Sequence, residues 1–130
     1  MATLVVIEGP SKGSHFPLTQ PSVSIGRVDS CHFQILDPRV SRTHLQVRHD
    51  PSRKMHVAAD YRSAHGVAVN GTTIKLDTPL LDGDRITIGD TTLIYLAADC
   101  ADAASALEAA KKKDEWKRST MLGPSGGAGG

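Results

Sequence analysis

The chain has 130 residues, with 15 Lys and Arg against 14 Asp and Glu and a formal net charge of +1. That length fits one small domain with some additional chain, large enough to fold around its own core. Residues 1–100 carry ten charges of each sign, so the broad basic excess of a nucleic-acid binder is absent, and any anion site must be local, built from a few placed arginines.

The cysteines, Cys31 and Cys100, form no C-x-x-C pair and no disulfide framework, which fits a reducing compartment. The apolar run after Met1 is about six residues long and lacks a basic flank, so it does not read as a signal peptide. No segment approaches the roughly 20 apolar residues of a membrane span. The expectation is a cytoplasmic protein with no membrane partner.

In chain order, Leu4 to Ile7 is a short apolar run, and Pro10, Gly13 and Pro17 then punctuate. Val23-Ser24-Ile25 and Phe33-Gln34-Ile35 alternate, as does Leu45 to Arg48, which ends at the turn signal Asp50-Pro51-Ser52. Met55 to Ala58 resumes the pattern. Val67 to Val69 leads into Asn70-Gly71 and Thr72-Thr73-Ile74. Asn-Gly between β-branched runs is a strong hairpin signal, because both residues tolerate positive φ. Arg85 to Ile88 and Thr91 to Leu96 flank Gly89-Asp90 as a second hairpin. About ten short, turn-separated strands with no helix between them predict an all-β sandwich or barrel over residues 1–98.

The composition then changes. Ala101 to Arg118 is rich in Ala, Lys and Glu, without Gly or Pro. Ser105 and Glu108 match a capping box, Asp102 is a rival N-cap, and Glu108–Lys112 is an i,i+4 pair in the favourable order. One helix is predicted within 99–118. Leu107 and Trp116 are its only large apolar residues, so its docking face reads as weak. Residues 119–130 read as a flexible linker or tail by composition. Thr120 follows Lys117-Arg118 and is a candidate phosphorylation site.

Functional residues concentrate between Ile25 and Gly71, where Gly26-Arg27, Ser41-Arg42-Thr43-His44, Ser63-Ala64-His65-Gly66 and Asn70-Gly71 sit at junctions of strand-like segments and turns. Loops at one end of a β-scaffold are where binding residues collect. Arg and Ser there are donors that suit an anionic, phosphate-like ligand. His44 has no activated nucleophile arranged beside it, and no acid/base constellation suggests an enzyme. The six histidines are scattered at 15, 32, 44, 49, 56 and 65, with no ligand spacing for a metal, and no cofactor is implied. Lys111-Lys112-Lys113 lack the aromatic platform that nucleic-acid binding would use.

Gly26-Arg27, Ser41-x-x-His44, Asn70-Gly71 and the Leu81-Asp-Gly-Asp84 turn, in that order over Leu4 to Leu96, resemble the forkhead-associated (FHA) domain. The resemblance implies a twisted β-sandwich of eleven strands, here followed by the C-terminal helix. It implies phosphothreonine-dependent binding of a peptide or protein through loops at one end, in Ser/Thr-kinase signalling, and no catalysis. It makes Arg27, Ser41, Arg42, His65, Asn70 and Arg39 the phosphopeptide-binding residues, with Gly26, His44, Gly66 and Gly71 supporting them. Arg39 would favour an acidic residue three places after the phosphothreonine.

The chain departs from the pattern at Ser63-Ala64-His65-Gly66, where the family commonly has Ser-Thr-Asn-Gly. Ala64 cannot contact phosphate through a side-chain hydroxyl, and His65 lacks the paired groups of a carboxamide. The alternative function is therefore a phospho-independent interaction scaffold with a drifted site.

Overall fold

The structure, a computed structural model, describes residues 2–61, 63–97 and 102–122, and within the last stretch the side chains of 102 and 104–115. Eleven strands precede one helix: β1 (Thr3–Glu8), β2 (His15–Pro17), β3 (Ser22–Gly26), β4 (Phe33–Gln34), β5 (Leu45–Asp50), β6 (Met55–Asp60), β7 (Ala68–Val69), β8 (Thr72–Thr73), β9 (Thr78–Pro79), β10 (Arg85–Ile88), β11 (Thr91–Leu96) and α1 (Ala103–Leu122). They form a six-stranded sheet in the order β2-β1-β11-β10-β7-β8 and a five-stranded sheet in the order β4-β3-β5-β6-β9. This is the sandwich that the alternating segments and the FHA resemblance led us to expect.

The inner faces meet in one core. Leu4, Val6, Ile86, Ile88 and Leu93 of the first sheet face Val23, Ile25, Leu45, Val47 and Ala58 of the second. Phe16 of β2 stacks on Phe33 of β4, with centroids 4.5 Å apart, and joins the two edge strands. Both anticipated hairpins are present. Asn70 and Gly71 take φ of 52° and 83° between β7 and β8, and Gly89 takes 57° between β10 and β11. Two edge strands, β2 and β9, were not expected: Pro17 read as punctuation, and the stretch around Pro79 carried no strand signal. Proline is tolerated on edges, where the missing N–H faces no neighbour.

Strands β1 and β11 are buried on both faces. Leu4 and Val6 point into the core, whereas Val5, Ile7, Ile94 and Leu96 lie beneath α1 and pack against Ala106, Ala110, Leu107 and Ala109. Such strands read as continuous apolar runs rather than as alternation. The helix therefore docks through small residues. Ions fasten it as well: Arg85 donates to both carboxylate oxygens of Asp114 at 2.9 and 3.0 Å and to Glu8 at 2.8 Å, and Lys113 lies 2.7 Å from Asp82. A weak docking face, the expectation from Leu107 and Trp116, is corrected by this alanine stripe and its ionic fastening.

Asp102 rather than Ser105 caps the helix, its carboxylate accepting the Ser105 N–H at 2.8 Å. That bond, with the Ser105 hydroxyl, holds the Asp102 carboxyl below its ordinary range. The helix also continues through 119–122, where a linker was expected, and Thr120 lies within it. Residues 98–101, with Cys100, and the tail 123–130 lie outside the described residues. Among the described residues no helix is long and apolar enough to cross a membrane.

Candidate functional site

The site begins with a close backbone approach at the end of β3. A Cβ on Gly26 would stand 2.1 Å from the Arg42 carbonyl oxygen and 2.8 Å from Thr43 Cα. Glycine alone lets the 41–43 segment lie against this strand end. The segment then continues the ladder: Arg27 N–H donates to Ser41 O at 3.1 Å, Val28 N–H to Arg42 O at 3.3 Å and His44 N–H to Ile25 O at 2.9 Å. Arg27 and the Ser41-Arg42 pair are thereby brought together from 14 residues apart in sequence.

Arg27 is exposed, with its stem steadied by a bond from Nε to Val40 O at 3.0 Å. Arg42 is exposed too. Among the described residues neither guanidinium has an ion-pair partner. Cys31 is buried beneath the segment, its thiol 3.3 Å from Arg42 O.

His44 is fully buried and ties three segments together. Its Nδ1 accepts the Ser41 N–H at 3.0 Å, so its Nε2 carries the proton and donates to Gly66 O at 2.7 Å. The 61–66 loop is held by its backbone. Tyr61 N–H donates to His44 O, Ser63 N–H to the Asp60 carboxylate, and Ala64 N–H to Ser41 Oγ at 3.0 Å, with Gly66 at φ +78°. The Ser41 hydroxyl accepts from Ala64 and keeps its own proton to donate. Ala64 thus serves the site through its N–H, despite lacking a polar side chain.

Arg39 and His65 line a cavity of about 270 Å³ with Gly66, Thr73, Thr87 and Gly89. Arg39 sits 3.7 Å from Asp90 in a mostly exposed pair, a geometry of little net worth in water. Asp37, which the sequence reading did not single out, holds this region in place. It is fully buried. One carboxylate oxygen accepts the Arg39 N–H at 2.9 Å; the other accepts the Asp90 N–H at 2.9 Å and the Thr91 hydroxyl at 2.8 Å. Burial pushes its pKa up, but those bonds together outweigh it and hold the carboxyl below its ordinary value. The only signal for it in sequence was Asp before Pro38.

Asn70, expected as a peptide contact, sits in the β7–β8 turn and bonds to the start of β10. Its Oδ1 accepts the Arg85 N–H at 3.0 Å and its Nδ2 donates to Asp84 at 3.0 Å, while its own N–H donates to Arg85 O at 2.7 Å. Each end of the carboxamide thus makes one bond within the fold, and Nδ2 has a second hydrogen to donate. Gly71 completes the same turn. Among the described residues no cluster of His, Cys, Asp or Glu could hold a metal ion.

Residues 5–99 match the family model described as the cytoplasmic domain of an inner membrane component of T3SS, which is of FHA type. The chain is 35% identical over 101 residues to the glycogen accumulation regulator GarA of Mycolicibacterium smegmatis, covering 78% of this chain and 62% of that protein. It is 34% identical over 100 residues to the oxoglutarate dehydrogenase inhibitor of Corynebacterium efficiens, covering 77% of this chain and 68% of that protein. A solved FHA domain, from a structural and functional analysis of phosphothreonine-dependent FHA domain interactions, superimposes with a TM-score of 0.67 at 30% identity, covering 76% of this chain and 98% of the other. Mycobacterium tuberculosis EmbR, in complex with a low affinity phosphopeptide, gives 0.68 at 29% identity, over 78% of this chain and 25% of EmbR.

The chain belongs to the FHA domain family. Domains of this family are binding modules rather than enzymes.

Proposed function

We propose that this domain binds phosphothreonine-containing peptides or proteins in Ser/Thr-kinase signalling, and that the phosphate is the feature it detects. The observation that carries the reading is the pairing of two exposed guanidiniums, Arg27 and Arg42, neither with an ion-pair partner among the described residues, with a Ser41 hydroxyl that has a proton to donate. A phosphate brings nearly two negative charges and three acceptor oxygens, and a planar guanidinium fork fits two of them at once. His65 and Arg39 border the same loops and would meet the peptide around the phosphate, and Asn70 would contact the peptide through the remaining hydrogen of its carboxamide. Gly26, His44 and Gly66 hold the frame, and Gly71 shapes the hairpin behind it. Thr120 as a phosphorylation site, tethered to the domain by the chain between Leu96 and Thr120 that includes α1, belongs to the same proposal as a means of self-docking or dimer formation.

The test is a titration with a phosphothreonine peptide library beside its unphosphorylated twin. Selective binding of the phosphorylated form is expected. Equal affinity for both would favour the phospho-independent scaffold that Ala64 and His65 suggest.

A further inference from the structure

Resting on that reading, we infer that the phosphopeptide this domain selects carries apolar side chains about two residues to either side of its phosphothreonine. They would be received by Leu36 on one flank and by Tyr61 with Leu76 on the other.

Only four large hydrophobic residues among those described are exposed: Leu36 at 64%, Tyr61 at 53%, Leu76 at 82% and Leu81 at 62%. A single exposed apolar residue is ordinary, but three of these four gather at one end of one sheet. The neighbouring strands there are β4, β3, β5 and β6. Leu36 follows β4, next to Ile35, whose N–H donates to Gly26 O at 2.7 Å. Tyr61 follows β6, its N–H donating to His44 O at 2.9 Å. Strand β9 runs antiparallel to β6, with Ala58 opposite Thr78. The residues before Thr78, Leu76 among them, therefore lead toward the end where β6 gives way to Tyr61.

Between the two flanks lie the ends of β3 and β5, which present Arg27 and Arg42. The sheet end thus reads apolar, cationic, cationic, apolar. Leu81 stands apart, in the turn whose Gly83 N–H donates to Tyr95 O near the end of β11.

Spacing fixes the peptide. Three strand gaps of about 4.8 Å separate β4 from β6 by about 14 Å, and an extended peptide advances about 3.3 Å per residue. About four residues span the row. With phosphate on the central arginines, the flanking groups fall about two residues before and two after. The two guanidiniums require an anion between the apolar ends, which is why a phosphopeptide fits this surface better than a wholly apolar partner.

The probe is a peptide library with a fixed phosphothreonine and five randomised positions on each side, and its twin with plain threonine. Each is selected on the full chain and on the L36S/Y61S variant, with L76S alone as a milder second variant; all three residues are exposed, so the fold should be kept. The expected result is about fivefold enrichment of apolar residues near the second position on each side. The enrichment should vanish in the double variant while its preference for phosphate remains. No apolar enrichment, or enrichment that persists in L36S/Y61S, overturns the inference. Equal recovery from the two libraries would instead defeat the phosphate reading, and it is scored separately from side-chain preference. Sedimentation of the chain alone covers the remaining occupant: a dimer abolished by L36S/Y61S would assign the patch to a second copy and overturn the inference as well.

Discussion

His44 donates through Nε2 to the carbonyl of Gly66, 22 residues away, at 2.7 Å, while its Nδ1 receives the N–H of Ser41. One buried imidazole therefore sets the distance between the Ser41 and Gly66 loops of the candidate site. It can do so in a single tautomer, because a carbonyl oxygen only accepts and an amide N–H only donates.

His44→Phe keeps the ring and removes both bonds. Each polar group left unsatisfied in a buried place costs on the order of 1–3 kcal/mol. Thermal unfolding should show a loss of about 2–4 kcal/mol, and phosphopeptide affinity should fall further than that loss of folded protein explains, since the Ser41 and Ala64 loops lose their spacing. Unchanged affinity in a folded variant would mean that the loops are positioned without it.

Arg27→Ala should weaken phosphopeptide binding about tenfold or more with the melting temperature almost unchanged. A charge-assisted hydrogen bond is worth about 1.5–3 kcal/mol, and the side chain is exposed. Arg27→Lys should restore only part of the loss, because an ammonium cannot span two phosphate oxygens as a fork does. Calorimetry on the three proteins decides; full recovery with lysine would point to simple charge attraction.

Gly26→Ala places a methyl 2.1 Å from the Arg42 carbonyl oxygen. Backbone has to move, so the cost should exceed the roughly 1–3 kcal/mol of ordinary overpacking. The variant should melt much lower and lose ligand binding together with the 41–43 ladder, which amide exchange at Arg27, Val28 and His44 would report.

Acid should act on stability in two stages. His56 Nδ1 and the Tyr95 hydroxyl share a hydrogen bond at 2.8 Å. Burial, then repulsion from His49, holds the His56 pKa below 6.5. The unfolded chain thus takes the proton first, and this contribution begins to be lost as pH falls below about 6.5. Asp37 has its folded pKa below 3.8 despite its burial, because the bonds from Arg39, Thr91 and Asp90 favour the charged form. Its contribution is complete above that value and is lost as pH falls through the folded one. Denaturant midpoints against pH should lose the upper stage in His56→Gln and the lower stage in Asp37→Asn. Asp37→Asn should also be less stable at pH 7, since one of its ends becomes a donor facing donors.

Much of the fold was legible because it depends on period and turn chemistry. Val23 to Ile25 and Leu45 to Arg48 alternate as half-buried strands must, and Asn70-Gly71 supplies two residues that accept positive φ. What was missed has physical reasons. β2 and β9 contain prolines that argue against strands except at edges. The docking face of α1 is made of Ala106 and Ala110, which pattern reading does not distinguish from alanines chosen for helix propensity. Asp37 looks like any turn aspartate until the fold buries it. The bonds of the Asn70 carboxamide to Asp84 and Arg85 are likewise not legible in sequence, because those partners lie 14 and 15 residues away. Arg27, Ser41 and Arg42 stand out in the sequence as candidates because arginine and serine at strand ends have no packing reason to be there.

The antiparallel match of Thr3 with Leu96 has a practical consequence for anyone attaching something to this domain. The first strand starts beside the place where the last one stops, while the turn joining β10 to β11 lies at the opposite pole with the Asp37 loop. A fluorophore, surface tether or fused partner placed ahead of residue 2 would hang from the pole away from Arg27 and Ser41, leaving the loops of the candidate site open to approach.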